Sequence, residues 1–134
     1  VIGNYCRFHS SVHIGQYSQI SNFVWIYPNC ILTNDPHPPS DTCIEGPTIE
    51  DYAVISAGAI LSPGIKVGKD SIVGANSLVT RDVPPEKVMM GFPARPVGSI
   101  YDIQCKEGKL PAPYPWRNHF DRGMPWKTKN PKDQ

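Results

Sequence analysis

The sequence predicts an all-β fold: a parallel β-helix of hexapeptide repeats, about four coils long, with an extruded loop and an irregular C-terminal tail. Three observations predict it. Large apolar residues recur every sixth position at Ile2, Phe8, Ile14, Ile20, Ile26 and Leu32, and again at Ile49, Ile55, Leu61, Val67, Val73 and Val79. A small or apolar companion stands four places after each of them except Leu32: Cys6, Val12, Ser18, Val24 and Cys30, then Ala53, Ala59, Ile65, Ser71, Ser77 and Val83. Between the two blocks the beat stops for a proline-rich stretch, LTNDPHPPSDTCIEGP. Neither a helix of period 3.6 nor an alternating strand repeats every six residues. A solenoid does.

Each hexapeptide is expected to make one short flat strand and one turn, with its large residue pointing inward. The companion is small because it sits near a corner of a narrow prism. Glycine follows the large residue at Gly3, Gly15, Gly68 and Gly74, where it eases close backbone approach. Successive coils, of roughly three hexapeptides each, then cover one another's apolar faces. A β-sandwich is the other all-β arrangement of short strands, but it does not hold a six-residue phase through two blocks.

The stretch 33–47 is an excursion from this solenoid, and the β-helix is expected over residues 1–97. From Gly98 the beat is gone, so 98–134 is a capping or tail segment. Ser99 to Lys109 is expected to form a short helix or strand closing the bottom of the prism. Trp116, Phe120, Met124 and Trp126 are too apolar for a free linker. They are expected to pack on the prism or a neighbouring subunit, with contribution to acceptor binding as the alternative. The polar end, Lys127 to Gln134, is expected to fray.

Among the 134 residues, 13 basic and 12 acidic side chains leave a net charge of +1, so no strong field points to nucleic acid or a bilayer. No apolar run reaches membrane-spanning length. Cys6, Cys30, Cys43 and Cys105 form no CxxC pair, which argues against a zinc knuckle or a redox motif. Two of them fall in phase with the repeat as buried thiols, which suits a reducing, cytoplasmic setting. Val1 already lies inside the repeat, so sequence upstream of it is expected.

The segments VIGNYCRFHSSVHIGQYSQI and VISAGAILSPGIKVGKDSIVGANSLVTRDVPPEKVMMGFPARPV resemble the hexapeptide-repeat acyltransferases. The resemblance covers about residues 1–97 and is most specific in the VTRDVPP and GFPARPV ending. It implies a left-handed coil, an exception to the usual right-handed crossover. It also implies a homotrimer with active sites in the clefts between prisms, and acetyl-CoA as acyl donor to a small sugar or nucleotide-sugar acceptor. A thin prism buries little core alone, which makes a trimer physically sensible.

Direct acyl transfer needs a base for the acceptor's proton, donors for the tetrahedral oxyanion and a groove for the cofactor. In the family's sugar acetyltransferases a loop histidine is the base, and His37 is the residue similar in placement. Its flanking prolines restrict the backbone that carries it. The TND portion instead resembles amino-sugar N-acetyltransferases, in which an asparagine, here Asn34, contacts substrate without a histidine base. Asp35 could orient His37 or start a turn. By the same resemblance Ala57 and Ala75 sit at turns that receive the pantetheine arm, with a backbone amide near Ala57 for the oxyanion. Thr80, Arg81 and Arg95 match positions near the phosphates and adenine, where arginine forms forked hydrogen bonds. Lys87 is a weaker candidate. His9 and His13 face outward, and the spacing lacks the later histidine pair found in the zinc-binding carbonic anhydrases that the same resemblance brings in. Cys43 has no sequence-adjacent histidine to activate it. A non-catalytic trimeric scaffold is the reading outside enzymes.

Overall fold

A computed structural model describes residues 1–119, so Phe120, Met124, Trp126 and the stretch 127–134 lie outside the described residues. Eleven strands of two residues each follow the beat. They are β1 Arg7–Phe8, β2 His13–Ile14, β3 Gln19–Ile20, β4 Trp25–Ile26 and β5 Ile31–Leu32, then β6 Thr48–Ile49, β7 Val54–Ile55, β8 Ile60–Leu61, β9 Lys66–Val67, β10 Ile72–Val73 and β11 Leu78–Val79. Two longer strands, β12 Lys87–Gly91 and β13 Ala94–Ser99, form an antiparallel hairpin.

Every third strand stacks in parallel register, giving three faces of a prism. Face A holds β3, β6 and β9, extended by bridges from Ile2 to Ile20 and from Val67 to Val83. Face B runs β1, β4, β7, β10, β12 and β13, and face C runs β2, β5, β8 and β11. The second residue of each strand points inward: Ile26, Leu32, Ile49, Ile55, Leu61, Val67, Val73 and Val79 are fully buried. Burying each such side chain contributes about 1.5–3 kcal/mol. Ile2 and Phe8 stay exposed because, among the described residues, no coil stacks on the first one.

The corners repeat as strictly as the strands. Positive φ occurs at Tyr5, Ser11, Tyr17, Phe23 and Asn29, and again at Tyr52, Gly58, Gly64, Asp70 and Asn76. A left-handed conformation costs a non-glycine residue roughly 1–2 kcal/mol. Stacking offsets that cost from Phe23 onward, where each corner N–H reaches a carbonyl of the preceding coil: Phe23 N donates to Asn4 O at 2.9 Å and Tyr52 N to Asn22 O at 3.1 Å. At the corner between faces A and B the rings of Tyr5, Phe23 and Tyr52 also stack, with centroids 5.3 and 4.9 Å apart. The glycines after the large residues serve close approach instead. A Cβ on Gly74 would lie 2.6 Å from Met90 Cβ, and one on Gly68 2.5 Å from Pro85 N.

Two expectations are corrected. Val83 is not a corner companion but takes a strand position opposite Val67, because the last turn is shortened before Pro84-Pro85. Ser99 to Lys109 does not close the bottom of the prism, and the tail is described only as far as His119. After a short 3-10 helix at Ile100–Asp102 it lies against the outer side of face B. Ile100 is fully buried with Ile72 and Val88, and Ile103 and Tyr114 join Val54 against that cluster. Trp116, 5% exposed, donates its indole N–H to Tyr52 O at 2.8 Å. Arg117 stands over the Tyr52 ring at 5.0 Å and pairs with the buried Asp70 carboxylate at 3.2 Å. Apolar outward residues on face B, not the open end of the coil, decide where an apolar tail settles.

Candidate active site

The corner between faces B and C carries the column Ser10, Pro28, Ala57 and Ala75. Asn29 N donates to Ser10 O at 3.1 Å, Gly58 N to Pro28 O at 2.9 Å and Asn76 N to Ala57 O at 2.9 Å. In this ladder Ala57 uses its carbonyl, while its own N–H takes no part. Ala57 and Ala75 are exposed in neighbouring coils of one straight edge, with no bulky side chain of their own to fill it. Gly58 is constrained twice: its φ is +73°, and a Cβ there would lie 2.2 Å from Asn76 Oδ1.

The hairpin extends this edge. Gly74 N donates to Met89 O at 2.8 Å, and Gly91 N to Ser77 Oγ at 3.1 Å. Met90, which lies over Gly74, pairs across the hairpin with Arg95. Arg95 thus lies on β13, one strand beyond the strand that covers Gly74; the residue is exposed and its Nη1 donates to Ala94 O at 2.9 Å. Thr80 and Arg81, both exposed, follow directly after β11 on face C, and exposed Lys87 begins β12.

The excursion leaves a different corner, the one between faces C and A. Its neck is closed by Glu45 N donating to Asn34 O at 2.9 Å. Asn34 is half-buried there, packed over Gly15, where an added Cβ would lie 3.1 Å from Asn34 Cβ. Asp35 acts as the turn starter: its carboxylate accepts from His37 N at 3.1 Å and from Ser40 N at 2.8 Å. It holds the backbone beside His37 and makes no bond to the ring. His37 is exposed, and its ring meets no partner among the described residues. Within one chain, then, the loop and the Ala57–Ala75 edge spring from different corners.

The remaining candidates resolve simply. His9 stacks on Tyr27 with centroids 4.6 Å apart, and His13 lies in β2 on face C. Among the described residues no three His, Cys, Asp or Glu side chains converge as a metal site. Cys6 and Cys30 donate to Ser21 O at 3.0 Å and Ser56 O at 3.1 Å. Burial pushes both thiols up and keeps them protonated. Cys43 is an exposed loop residue. The sequence reading named Trp116 but missed Trp25, Tyr27 and Tyr114, which join it in an aromatic group on face B. A signal existed, since Trp25 stands one place before the inward Ile26 and so points out. Among the described residues no helix is long and apolar enough to cross a membrane.

Known proteins share both the repeat and the coil. The family profile "Bacterial transferase hexapeptide (six repeats)" matches residues 46–81. Galactoside O-acetyltransferase of Lactococcus lactis is 35% identical over 94 residues, 65% of this chain and 45% of that protein. A hexapeptide-repeat acetyltransferase structure from Vibrio cholerae superposes with a TM-score of 0.67 at 27% identity, over 75% of this chain and 62% of that one. A serine acetyltransferase solved in complex with CoA gives a TM-score of 0.63 at 32% identity, over 72% and 38%. This chain thus spans less than two thirds of the length of each of these relatives. In its repeat and its stacked coils the chain is similar to the hexapeptide-repeat acetyltransferases, whose structures are left-handed β-helices.

Proposed function

We propose that this chain is the catalytic β-helix of an acetyl-CoA-dependent acetyltransferase that acts as a homotrimer on a sugar or nucleotide-sugar. One observation carries the proposal. The small-residue edge at Ala57 and Ala75 and the loop with Asn34 and His37 are both exposed, yet leave different corners of the prism. A site using both is completed when the loop of one chain meets the edge of the next. The relative solved with CoA supports the donor, and the galactoside O-acetyltransferase supports a sugar as the acceptor.

In this scheme the pantetheine arm lies along Ala57 and Ala75, whose small side chains leave the backbone open. Thr80, Arg81 and Arg95 receive the phosphates and adenine. His37 takes the proton as the acceptor oxygen or nitrogen attacks the thioester carbonyl. The Ala57 N–H, free of the corner ladder, donates to the oxyanion of the tetrahedral intermediate. Collapse breaks the C–S bond, and the departing thiolate is reprotonated from the imidazolium. Asn34 supports a second reading, an amino-sugar N-acetyltransferase. It is held at the closed neck, whereas His37 stands unrestrained by side-chain contacts among the described residues.

The test is release of free CoA from acetyl-CoA against a panel of galactosides, nucleotide-linked amino sugars and serine. Turnover with a sugar, lost by about 10²-fold in His37→Ala, is the expected result. Near-normal His37→Ala with a damaging Asn34→Ala favours the second reading. Turnover with serine alone overturns the sugar acceptor. A chain that turns over nothing and gains no thermal midpoint from acetyl-CoA is a scaffold.

A further inference from the structure

Face B and the tail laid across it enclose a half-open pocket of about 120 Å³, lined by Trp25, Tyr27, Val54, Tyr114 and Trp116. Four of these five walls are aromatic, and none is charged. A dry cavity of roughly 150 Å³ holds a benzene-sized molecule, so this space is on the scale of one six-membered ring. The polar groups at its walls are unevenly satisfied. Trp116 Nε1 is bonded to Tyr52 O at 2.8 Å, whereas Trp25 Nε1 is buried with no hydrogen-bond partner among the described residues. A buried donor without an acceptor is costly, and native structures normally supply one. Burial, and then the neighbouring Tyr27 phenol, push the Tyr114 phenol up. Tyr114 is thus a neutral hydroxyl facing Tyr27.

Two features select the occupant. A cationic guest is disfavoured because the Trp25 ring already carries Arg7, whose guanidinium carbon lies 4.8 Å from its centroid. Position is the second. Tyr27 immediately precedes Pro28, whose carbonyl accepts from Gly58 N at 2.9 Å, so the pocket adjoins the Ala57 corner assigned above to the donor arm.

We infer that this pocket binds the pyranose ring of the acceptor, its apolar C–H face on the aromatic walls and one of its oxygens taking the Trp25 indole N–H. The inference rests on the proposed transfer to a sugar. It adds the place where the sugar sits and assigns the tail, through Tyr114 and Trp116, to recognition. Aromatic walls suit such a guest because they present large rigid apolar faces with a polar edge.

The test separates the two ideas by using binding rather than turnover. The full chain is titrated with methyl glycosides of glucose, galactose and N-acetylglucosamine, followed by tryptophan fluorescence and by saturation transfer to the sugar protons. Acetyl-CoA binding is followed independently by thermal shift. Trp25→Phe keeps the ring but removes the donor, and Tyr27→Ala removes a wall; thermal midpoints check that both variants fold. The expected result is binding of at least one glycoside, weakened about 5-fold or more in each variant, with the acetyl-CoA shift unchanged. Three results overturn the inference: no glycoside binds, glycoside binding is unchanged in both variants, or acetyl-CoA rather than glycoside loses affinity in them. Loss of the acetyl-CoA shift in the unaltered chain would instead remove the donor reading, and glycoside binding would still decide the pocket.

Discussion

Faces B and C of the prism are built alike and finished differently. On each, the first residue of successive strands points outward and forms a column. Face B presents Arg7, Trp25, Val54, Ile72 and Val88; face C presents His13, Ile31, Ile60 and Leu78. Both columns are largely apolar, unlike face A, where Gln19, Thr48 and Lys66 point outward and Lys66 pairs with Glu50 at 2.8 Å. Face B is covered by the chain's own tail, so Ile72 and Val88 are buried. Face C has no such cover among the described residues, and Ile31 is 38% exposed. An apolar outward column in a solenoid calls for a partner. The chain supplies one to face B, and under the proposed function a neighbouring copy supplies the other to face C.

Four measurements break or sharpen this contrast, the largest effect first. Leu78→Asp, on the uncovered face, places a charge in the proposed interface. It should abolish the trimer by light scattering, and with it turnover, while the circular-dichroism spectrum of the prism persists. A trimer that survives would locate the interface elsewhere. Ile100→Ala, on the covered face, removes a fully buried side chain and should cost about 2–5 kcal/mol in chemical denaturation. The oligomer should be untouched. His37→Ala belongs to neither face and should lower turnover by about 10²-fold, or about 2.7 kcal/mol in barrier, with trimer and thermal midpoint unchanged.

The smallest effect tests the clasp on the tail. Asp70 is buried at the corner beside face B, with Oδ2 paired to Arg117 and Oδ1 without a hydrogen-bond partner among the described residues. Burial pushes its carboxyl above the ordinary value of 3.8, and Arg117 opposes that rise. A carboxyl raised by folding adds stability below its unfolded value and loses that contribution as pH climbs through its folded value. Arg117→Met should raise the folded value further. It should therefore destabilise the chain by about 1–3 kcal/mol at pH 7, where the carboxylate is ionised and unpaired. The difference from the unaltered chain should shrink toward pH 4. A loss of equal size at both pH values would show that Arg117 acts through its stacking on Tyr52 instead.

Much of the fold was legible because its rules are local. Inward residues at Ile20, Ile26 and Leu32, and again at Ile55, Leu61 and Val67, repeat every six positions, and the excursion after Leu32 interrupts that spacing visibly. The corners were only half legible. Glycine marked the close approaches, but the left-handed residues are mostly non-glycine: Tyr5, Phe23 and Tyr52 hold that conformation because rings and amides stack from coil to coil. The candidate residues of the site could be named from their motifs, but not arranged. That the hairpin carrying Arg95 borders the Ala75 corner depends on Met90 crossing Gly74, a contact between strands.

The sequence alone, then, determined the coil, its inward face and the place where it opens, since a six-residue period dictates which side chains can point inside. Tertiary structure decided what covers the outside. Trp116 reaches Tyr52 and Arg117 reaches Asp70 across separations that no periodicity spans. The pocket, with its Trp25 N–H unpartnered among the described residues, exists only because the tail folds back on face B. Such contacts depend on the shape and polarity of a finished surface, which exists only after the coils have stacked.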